Sequence, residues 1–318
     1  MKAKRPPVLI IDEMHESIID LLKEKGYEPH YQPAIPAKEV PAALAAYEVV
    51  LIRSKLPFTK EVLDAAPNLK VIGRAGAGLD QIDLEEVARR NIRLIHAAEG
   101  NRDAVAEHAL GMLLCLFNHL NTADAEVRQG KWLREANRGV ELAGKTVGII
   151  GYGRMGEAFA QRLSGFGCRV LAFDHHTKGF GTALVEEVSL EQLQQQADVV
   201  SLHIPLTPEN RGLINTAYLN AFRKNIYLIN TARGEVLLLE DLVSALKSGK
   251  VKAAALDVLE NEKLQQLSPQ QQVDFNYLIN SKNVLLSPHV AGWTHESYKK
   301  INEVLVRKLE EIYSGAGA

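Results

Sequence analysis

A glycine-rich segment in the middle of the chain constrains the fold more than any other feature. An apolar run, Thr146–Ile150, is followed by Gly151-Tyr152-Gly153-Arg154-Met155-Gly156 and then by a segment with helical spacing. A G-x-G-x-x-G pattern between a strand and a helix predicts a dinucleotide-binding βαβ unit. We expect Gly151 to allow a tight turn, Gly153 to let the backbone approach a pyrophosphate, and Gly156 to let helix and strand pack closely. The helix N-terminus offers further N–H groups to phosphate. A purely structural glycine turn is the alternative interpretation.

An acidic residue ends the next apolar run. Asp174 lies 18 positions after Gly156, near the spacing of about 20 expected for the carboxylate that binds an adenosine ribose. His175 and His176 follow it, and no arginine is present there to hold a 2′-phosphate. The sequence therefore predicts NAD rather than NADP as the cofactor. A solvated aspartate at a strand end is the alternative interpretation.

Short apolar runs alternate with helical stretches along the whole chain. The runs are Val8–Ile11, Val49–Ile52, Val71–Ile72, Ile92–Ile95, Thr146–Ile150, Arg169–Phe173, Asp198–Ile204, Asn225–Ile229, Ala253–Leu256 and Asn283–Leu286. Continuous apolar runs fit strands that are buried on both faces of a parallel sheet. The alternation predicts α/β architecture with doubly wound parallel sheets.

Four longer segments complete this prediction. Asp103–Asn121 is apolar and predicts a buried connecting helix, whereas Thr122–Leu142 is polar with Trp132 in its middle. Leu264–Gln272 is rich in glutamine and predicts a surface loop. Thr294–Tyr313 carries apolar residues on one helical face and predicts a C-terminal helix.

Composition excludes several classes of protein. The 318 residues suffice for two domains, 46% of them are hydrophobic, and the formal net charge is -2. This balance favours neither nucleic acid nor a membrane surface as a partner, and no apolar stretch approaches the roughly 20 residues of a membrane span. Val8–Ile11 is too short for a signal-peptide core. The two cysteines predict no disulfide framework. We expect a cytoplasmic protein without a metal site.

Three polar residues follow the last three predicted strands. Arg233 comes after Asn225–Ile229, Glu262 after Ala253–Leu256, and His289 after Asn283–Leu286. Loops at the carboxyl ends of parallel strands meet at the ligand crevice. An imidazole can accept a hydroxyl proton at neutral pH, a neighbouring carboxylate favours the protonated imidazole, and an arginine can bind a carboxylate or polarise a carbonyl. The three types together predict hydride transfer at a secondary alcohol. Taken singly, each could be a structural or solvated residue.

Several motifs together resemble one family. Arg74–Asp83 is similar to a substrate-loop motif, Gly100–His108 to the start of an inter-domain helix, and the Asn-Thr-Ala-Arg-Gly and Ser-Pro-His segments match as well. Over nearly its whole length the chain resembles the D-isomer-specific 2-hydroxyacid dehydrogenases, and within them the 3-phosphoglycerate dehydrogenases of serine biosynthesis. The resemblance assigns catalysis to Arg233, Glu262 and His289.

The resemblance also implies a domain organisation and a set of binding residues. A Rossmann NAD-binding domain, 103–289, would be inserted in a flavodoxin-like substrate-binding domain made of 1–102 and 290–318, and the protein would be a homodimer. Residues expected at the cofactor are Gly151, Gly153, Arg154, Met155, Gly156, Asp174, His203, Pro205, Thr231, Ala232, Asp257 and Gly292. Residues expected at the substrate are Arg53, Ser54, Arg74, Ala75, Gly76 and Asn101.

The substrate residues have specific expected roles. Arg53 and Arg74, with Lys55, would bind a phosphate, and the N–H groups of Ala75 and Gly76 would hold the substrate carboxylate. Structural ion pairing is the alternative for both arginines. The chain departs from the family at Asn118, where many relatives have arginine, at Lys263, where proline is usual, and in the length of 264–282. No C-terminal regulatory domain is expected, since the sequence ends soon after Tyr313.

The sequence leaves three functions open. The first is an NAD-dependent dehydrogenase that moves a hydride to or from C2 of a small 2-hydroxy or 2-keto acid, with 3-phosphoglycerate as the first-choice substrate. The second is a reductase of hydroxypyruvate, glyoxylate or another small 2-keto acid. The third, of a different class, is an NAD(H)-sensing binding protein.

Overall fold

The chain divides into two compact units. A computed structural model describes residues 5–314, and the expected domain ends 1–4 and 315–318 lie outside the described residues. The first unit is the described part of Met1–Arg102 and Trp293–Ala318, and the second is Asp103–Gly292. Residues 290–292 therefore belong to the second unit, whereas we expected them in the substrate-binding domain. The reason is local, because the N–H groups of Val290 and Ala291 donate to the carboxylate of Asp257.

Twelve strands and twelve α-helices are found in the described residues. The elements up to the unit boundary are β1 (Pro7–Ile10), α1 (Ser17–Glu24), β2 (Glu28–Tyr31), α2 (Val40–Leu44), β3 (Val49–Ile52), α3 (Lys60–Asp64), β4 (Val71–Arg74), α4 (Leu84–Arg89), β5 (Arg93–His96) and α5 (Ala98–Phe117), which contains the boundary. The others are α6 (Leu120–Arg128), β6 (Thr146–Ile150), α7 (Arg154–Leu163), β7 (Arg169–Phe173), β8 (Glu186–Glu187), α8 (Leu190–Gln196), β9 (Val199–Leu202), α9 (Thr216–Asn220), β10 (Ile226–Asn230), α10 (Leu239–Lys247), β11 (Val251–Leu256), α11 (Pro269–Asn280), β12 (Val284–Leu286) and α12 (His295–Tyr313).

The first unit contains a five-stranded parallel sheet of order β2-β1-β3-β4-β5. This is the flavodoxin-like order, and it confirms the predicted fold of this unit. All four residues of β3 are buried, as expected for a β-branched run at the sheet centre. Leu305, Val306 and Leu309 of α12 are buried in the core beside β1, β3 and β4. The C-terminal helix therefore completes the same core as the N-terminal strands.

The second unit contains a seven-stranded parallel sheet of order β12-β11-β10-β9-β6-β7-β8. Numbered from β6, the order is 3-2-1-4-5-6-7, which is the dinucleotide-binding order with one added strand. The strand order reverses between β6 and β9, so the loops after these strands lie at the topological switch point. The predicted Rossmann fold is confirmed, with seven strands rather than the six expected.

Two segments differ from their predictions. Leu264–Gln272 is not a loop throughout, because a 3-10 turn at Leu264–Gln266 is followed by α11, whose first turn is closed by a Ser268–Gln271 capping box. The connecting helix α5 begins at Ala98 and ends at Phe117, two residues before His119 takes a positive φ of 51°. Within residues 5–314, no helix has the length and apolar character needed to cross a bilayer.

Candidate functional site

The glycine-rich loop has the shape that a pyrophosphate needs. Gly151 has a φ of +91°, and a Cβ there would lie 2.6 Å from the carbonyl oxygen of His203. A Cβ at Gly156 would lie 2.2 Å from the carbonyl oxygen of Gly151, so only glycine lets α7 start this close to β6. A Cβ at Gly153 would meet no atom within 4 Å. Gly153 is also the N-cap of α7 and provides no side-chain cap, so no capping side chain occupies the backbone N–H groups at this helix end.

Asp174 lies beside this loop. One oxygen of its carboxylate accepts a hydrogen bond from the N–H of Tyr152 at 2.8 Å, and the other accepts from the N–H groups of His176 and Thr177 at 2.9 and 2.8 Å. Burial by itself raises the pKa of Asp174, but the hydrogen bonds from Thr177, Tyr152 and His176 outweigh it and lower the pKa. The carboxylate therefore stays ionised near neutral pH. An anion at this position suits ribose hydroxyls and repels a 2′-phosphate.

Thr231, Ala232 and His203 were also expected at the cofactor, and they differ in whether their polar groups already have hydrogen-bond partners. The Thr231 hydroxyl is buried and has no hydrogen-bond partner within residues 5–314, so it can serve a bound ligand. The N–H of Ala232 donates to the Asn230 side chain at 3.1 Å. The His203 ring pairs through Nε2 with Ser201 Oγ at 2.8 Å, and burial lowers its pKa to about 4. His203 is therefore a neutral histidine whose carbonyl oxygen lies against Gly151.

The described residues fit a dinucleotide. An uncapped helix end, an open face at Gly153, an ionised Asp174 and the unpartnered Thr231 hydroxyl are the donors and acceptors that its pyrophosphate and ribose groups require. Arg154, Met155, Pro205 and Gly292 remain predictions, since no contact of theirs identifies a ligand. No group of His, Cys, Asp or Glu side chains able to hold a metal ion is found in the part of the chain that the structure describes.

His289 and Glu262 form an ion pair. His289 Nδ1 lies 2.9 Å from Glu262 Oε1 and 3.1 Å from Oε2, and both side chains are 48% exposed. The hydrogen bond to Glu262 raises the pKa of His289, burial and the Arg233 charge act in the opposite direction, and the net pKa lies above the usual histidine value. With Nδ1 engaged by the carboxylate, Nε2 is the ring nitrogen left for proton exchange.

A glycine beside Arg233 brings the loops that carry Arg233 and Glu262 together. A Cβ at Gly234 would lie 1.8 Å from the carbonyl oxygen of Leu259, so the loop after β10 touches the backbone of the loop after β11. Arg233 itself has an extended backbone, and its Nη1 donates to the Ala232 carbonyl oxygen at 2.7 Å. The sequence analysis missed Gly234, because a single glycine in a loop carries no signal of which backbone it must approach.

Asp257 supports the turn that carries His289. Its side chain is 1% exposed, and its carboxylate accepts from the N–H groups of Val290 at 2.9 Å and Ala291 at 2.8 Å. Its carbonyl oxygen accepts from the N–H of His289 at 2.7 Å. His289 has a φ of 56°, which non-glycine residues rarely adopt. The contacts of Asp257 thus belong to the turn that carries His289, whereas we expected the residue at the cofactor.

Arg53 in the first unit has an unusual environment. Its guanidinium carbon lies 3.6 Å from the ring centre of Trp293 and 5.6 Å from that of Tyr298. The carboxylate of Asp12 accepts from the N–H groups of Arg53 and Ser54 at 2.6 and 3.3 Å, which fixes the backbone of this loop. Within residues 5–314 the guanidinium has no hydrogen bond or ion pair, and burial lowers the pKa of Arg53. One face of the guanidinium stacks on Trp293, and its N–H groups are left to donate hydrogen bonds to a ligand.

The neighbouring loop corrects part of the expected substrate site. The N–H of Ala75 donates to the Ile52 carbonyl at 2.7 Å, and that of Gly76 donates to the Arg74 carbonyl at 3.0 Å. Both donors expected for a substrate carboxylate are therefore used within the chain. A Cβ at Gly76 would lie 1.6 Å from Arg74 Nη1, so glycine is needed for the observed arginine conformer.

Lys55 and Asn101 in this unit were also expected to contact the substrate. Lys55 donates to the carbonyl groups of Pro33 and Ile35 at 2.7 and 3.1 Å, so its ammonium closes a loop, although we expected it to support phosphate. Asn101 Oδ1 is buried without a hydrogen-bond partner in the described residues, which suits its expected role as a ligand contact.

Comparisons with known proteins agree with this fold and site. The family model "D-isomer specific 2-hydroxyacid dehydrogenase, NAD binding domain" matches residues 110–291. The chain is 33% identical to D-3-phosphoglycerate dehydrogenase of Methanocaldococcus jannaschii over 97% of its own length and 57% of that protein. It is 32% identical to hydroxypyruvate reductase of Thermotoga maritima, over 95% of this chain and 96% of that one. D-lactate dehydrogenase of Aquifex aeolicus, solved with NAD and lactic acid, superposes with a TM-score of 0.82 at 27% identity, covering 97% of this chain and 96% of that one.

The fold and the site define a two-unit α/β protein of the dinucleotide-binding class. Within that class, the chain belongs to the D-isomer specific 2-hydroxyacid dehydrogenase family, and its cofactor is NAD. The chain spans 57% of the length of the D-3-phosphoglycerate dehydrogenases of Methanocaldococcus jannaschii and Archaeoglobus fulgidus.

Proposed function

We propose that this chain is an NAD-dependent oxidoreductase that transfers a hydride between nicotinamide and C2 of a small D-2-hydroxy acid or 2-keto acid. The His289–Glu262 pair carries the proposal, because an exposed imidazole with a carboxylate on Nδ1 and a raised pKa is a general acid–base group. When bound, NAD supplies the nicotinamide that accepts or donates the hydride.

The residues of the second unit then have distinct tasks. In the oxidation direction, His289 Nε2 accepts the substrate hydroxyl proton as the hydride leaves C2. Glu262 stabilises the imidazolium that forms. Arg233 donates hydrogen bonds to the substrate carboxylate and to the oxygen at C2, where negative charge develops. In reduction, the protonated imidazole returns the proton to the same oxygen.

We infer that 3-phosphoglycerate is the preferred substrate, which would place the protein in serine biosynthesis. The support is the Arg53 guanidinium, which is partly buried, stacked on Trp293, and without an acceptor in the described residues. A guanidinium held by its face presents its N–H edges to an anion such as a phosphate. Relatives with both phosphorylated and unphosphorylated substrates in their names match this chain, so identity alone does not decide between them.

Arg53→Lys and Trp293→Leu test the preferred substrate. Lysine keeps the charge but loses the planar fork, and leucine removes the surface that orients the guanidinium. A charge-assisted hydrogen bond contributes about 1.5–3 kcal/mol, so we expect kcat/KM for 3-phosphoglycerate to fall about 10- to 100-fold. The values for hydroxypyruvate and glyoxylate should change little. Arg93→Lys, at the amino end of β5, makes the same exchange away from the carboxyl ends of the strands and is the matched control.

A reductase of hydroxypyruvate, glyoxylate or a similar 2-keto acid is the second candidate. It is favoured if the unphosphorylated acids turn over faster than 3-phosphoglycerate and the Arg53 and Trp293 variants affect both substrate types equally. An NAD(H)-sensing binding protein is the candidate of another class. A cellular role that survives both His289→Asn and Arg233→Ala would support it and would contradict the enzymatic proposal.

A homodimer remains our expectation for the assembly, and cytoplasmic residence remains a prediction. Exposed apolar side chains on and after α6 support the dimer, since apolar side chains exposed close together in the chain are typical of protein–protein contact surfaces. They are Leu120 at 51% exposure, Val127 at 51%, Trp132 at 77% and Leu133 at 47%. Sedimentation at micromolar concentration should give the mass of two chains, and a single-chain mass would refute the expectation.

A further inference from the structure

The turn that carries His289 is strained and has to be held from outside. A positive φ at a non-glycine residue is unfavourable and persists only where the surroundings enforce it. Here the enforcement comes from Asp257, which binds the N–H groups of His289, Val290 and Ala291 through its carbonyl and its carboxylate. The geometry of the catalytic imidazole therefore depends on how firmly the Asp257 carboxylate is oriented.

Two further side chains continue this network away from the site. Ser287 Oγ lies 2.5 Å from Asp257 Oδ1, and His108 Nε2, on α5, lies 2.9 Å from Ser287 Oγ. His108 Nε2 is also 3.6 Å from Asp257 Oδ1. His108 belongs to the Gly100–His108 motif, but neither the sequence nor the proposed mechanism gives it a task.

The number of protons and lone pairs on each group decides which group donates each hydrogen bond of the network. Both carboxylate oxygens of Asp257 already accept backbone N–H groups, so Asp257 is the acceptor and the Ser287 hydroxyl is the donor. A hydroxyl has one proton, so Ser287 Oγ accepts from His108, whose Nε2 must carry a hydrogen. The Met112 sulfur, 3.9 Å from Ser287 Oγ, is a weak competing acceptor. The N–H of His108 occupies a lone pair of the hydroxyl and turns its proton towards Asp257.

We propose that His108 is a positioning residue for His289, acting through Ser287 and Asp257. It touches no reacting atom, and its task is to keep the Asp257 carboxylate in the one orientation that holds the strained turn. Loss of the His108 donor loosens the turn, and the imidazole then spends less time in the orientation set by Glu262. The kinetic test of this inference rests on the proposed function, and a spectroscopic test does not.

The kinetic test compares His108→Leu, which removes the donor, with His108→Gln, which restores an N–H donor on a side chain of similar reach. We expect kcat to fall about tenfold or more in the leucine variant, the KM for NAD to stay within about twofold, and glutamine to recover most of kcat. Because His108 and Ser287 act in one hydrogen-bond network, adding His108→Leu to Ser287→Ala should lower kcat little further than Ser287→Ala alone.

His30→Leu is the matched control, because His30 Nδ1 also bonds a hydroxyl, that of Tyr47 at 2.5 Å, but in the first unit. It should change stability without changing kcat. Equal loss in the leucine and glutamine variants, additive losses with Ser287→Ala, or an unchanged kcat in His108→Leu would overturn the proposal.

The spectroscopic test uses the protein labelled with ¹⁵N-histidine and needs no turnover. The long-range ¹H–¹⁵N spectrum should show His108 as the Nε2–H tautomer, and His108→Leu should shift the His289 signals while those of His30 stay in place. A His108 that is the Nδ1–H tautomer, or His289 signals unaffected by His108→Leu, would refute the inference. If no acid is turned over but the spectra agree, the proposed function fails and the positioning network stands.

Discussion

Replacing Glu262 with glutamine tests the acid–base pair through its pH dependence. The variant keeps an oxygen that can accept the Nδ1 hydrogen and loses the negative charge about 3 Å from His289. Both side chains are half exposed, so the interaction is screened by water, and two unit charges at that distance and the dielectric constant of water interact by about 1.4 kcal/mol. That energy corresponds to about one pH unit. The pKa of His289, raised in the wild type, should therefore fall by about one unit.

The affected limb of the pH profile differs between the two reaction directions, but both limbs should move to lower pH. Oxidation needs the neutral imidazole, so kcat/KM is lost as the pH falls through the raised pKa, and this acid limb should move down by about one unit in Glu262→Gln. Reduction needs the imidazolium, so kcat/KM is lost as the pH rises, and its alkaline limb should move down by the same amount. The plateau of oxidation should also fall, because the imidazolium loses its stabilising charge.

The assay is the absorbance of NADH followed across the pH range in both directions with the same acid pair. Glu260→Gln is the matched control, since it removes a charge from the same loop, but its carboxylate bonds the Leu239 N–H and the Gln271 side chain instead of His289. Its limbs should stay where the wild type has them. A limb that does not move in Glu262→Gln, or that moves to higher pH, would refute the pairing as the cause of the raised pKa.

Three further variants have defined outcomes. Asp174→Asn should raise the dissociation constant of NAD about tenfold or more and reduce the selectivity for NAD over NADP, because the ribose hydroxyls lose an ionised acceptor. Unchanged dissociation constants in a fluorescence titration would contradict this. Gly234→Ala should lower the free energy of unfolding by about 1–3 kcal/mol in urea and reduce kcat, because its Cβ would lie 1.8 Å from the Leu259 carbonyl oxygen. Gly111→Ala, in α5 with no atom within 4 Å of the new Cβ, is its control and should stabilise by about 0.5–1 kcal/mol. Arg233→Lys should lower kcat/KM about 10- to 100-fold in steady-state assays, and wild-type activity would exclude a bidentate contact.

Much of the fold could be predicted from local sequence. The strands β3, β6 and β7 are largely apolar runs, so they lie where the pattern placed them. The strands β2 and β8 were missed because they carry no apolar run. Glu28–Tyr31 contains a proline and is only partly buried, and Glu186–Glu187 consists of two charged residues. Both are edge strands, which need little apolar surface, whereas the edge strands β5 and β12 keep apolar runs and were predicted.

The proximity of Glu262 and His289 could be predicted from their loops for a physical reason. Parallel strands bring their carboxyl ends to one edge, so Glu262 and His289 had to lie near each other once the strands were assigned. The supports of the pair were not predictable in this way. The hydrogen bond between His108 and Ser287 joins residues 179 positions apart, and its formation depends on tertiary packing alone.

Substrate recognition was the least predictable part. The sequence indicated Arg53 and Arg74, but whether an arginine is ion-paired or available depends on neighbours far along the chain, and Trp293 became a stacking partner only through the fold. The same argument applies to Ala75, whose N–H looked available in a loop motif and is used by the sheet.

The most direct test of the central claim is NADH formation and consumption by the wild type and by His289→Asn, with 3-phosphoglycerate, hydroxypyruvate, glyoxylate and D-lactate measured side by side. We expect NAD-linked turnover of D-2-hydroxy acids or their keto acids, with the highest kcat/KM for 3-phosphoglycerate, and near-complete loss of turnover in His289→Asn while NADH binding persists. Failure of the wild type to turn over any of these acids, or turnover that survives the loss of His289, would contradict it.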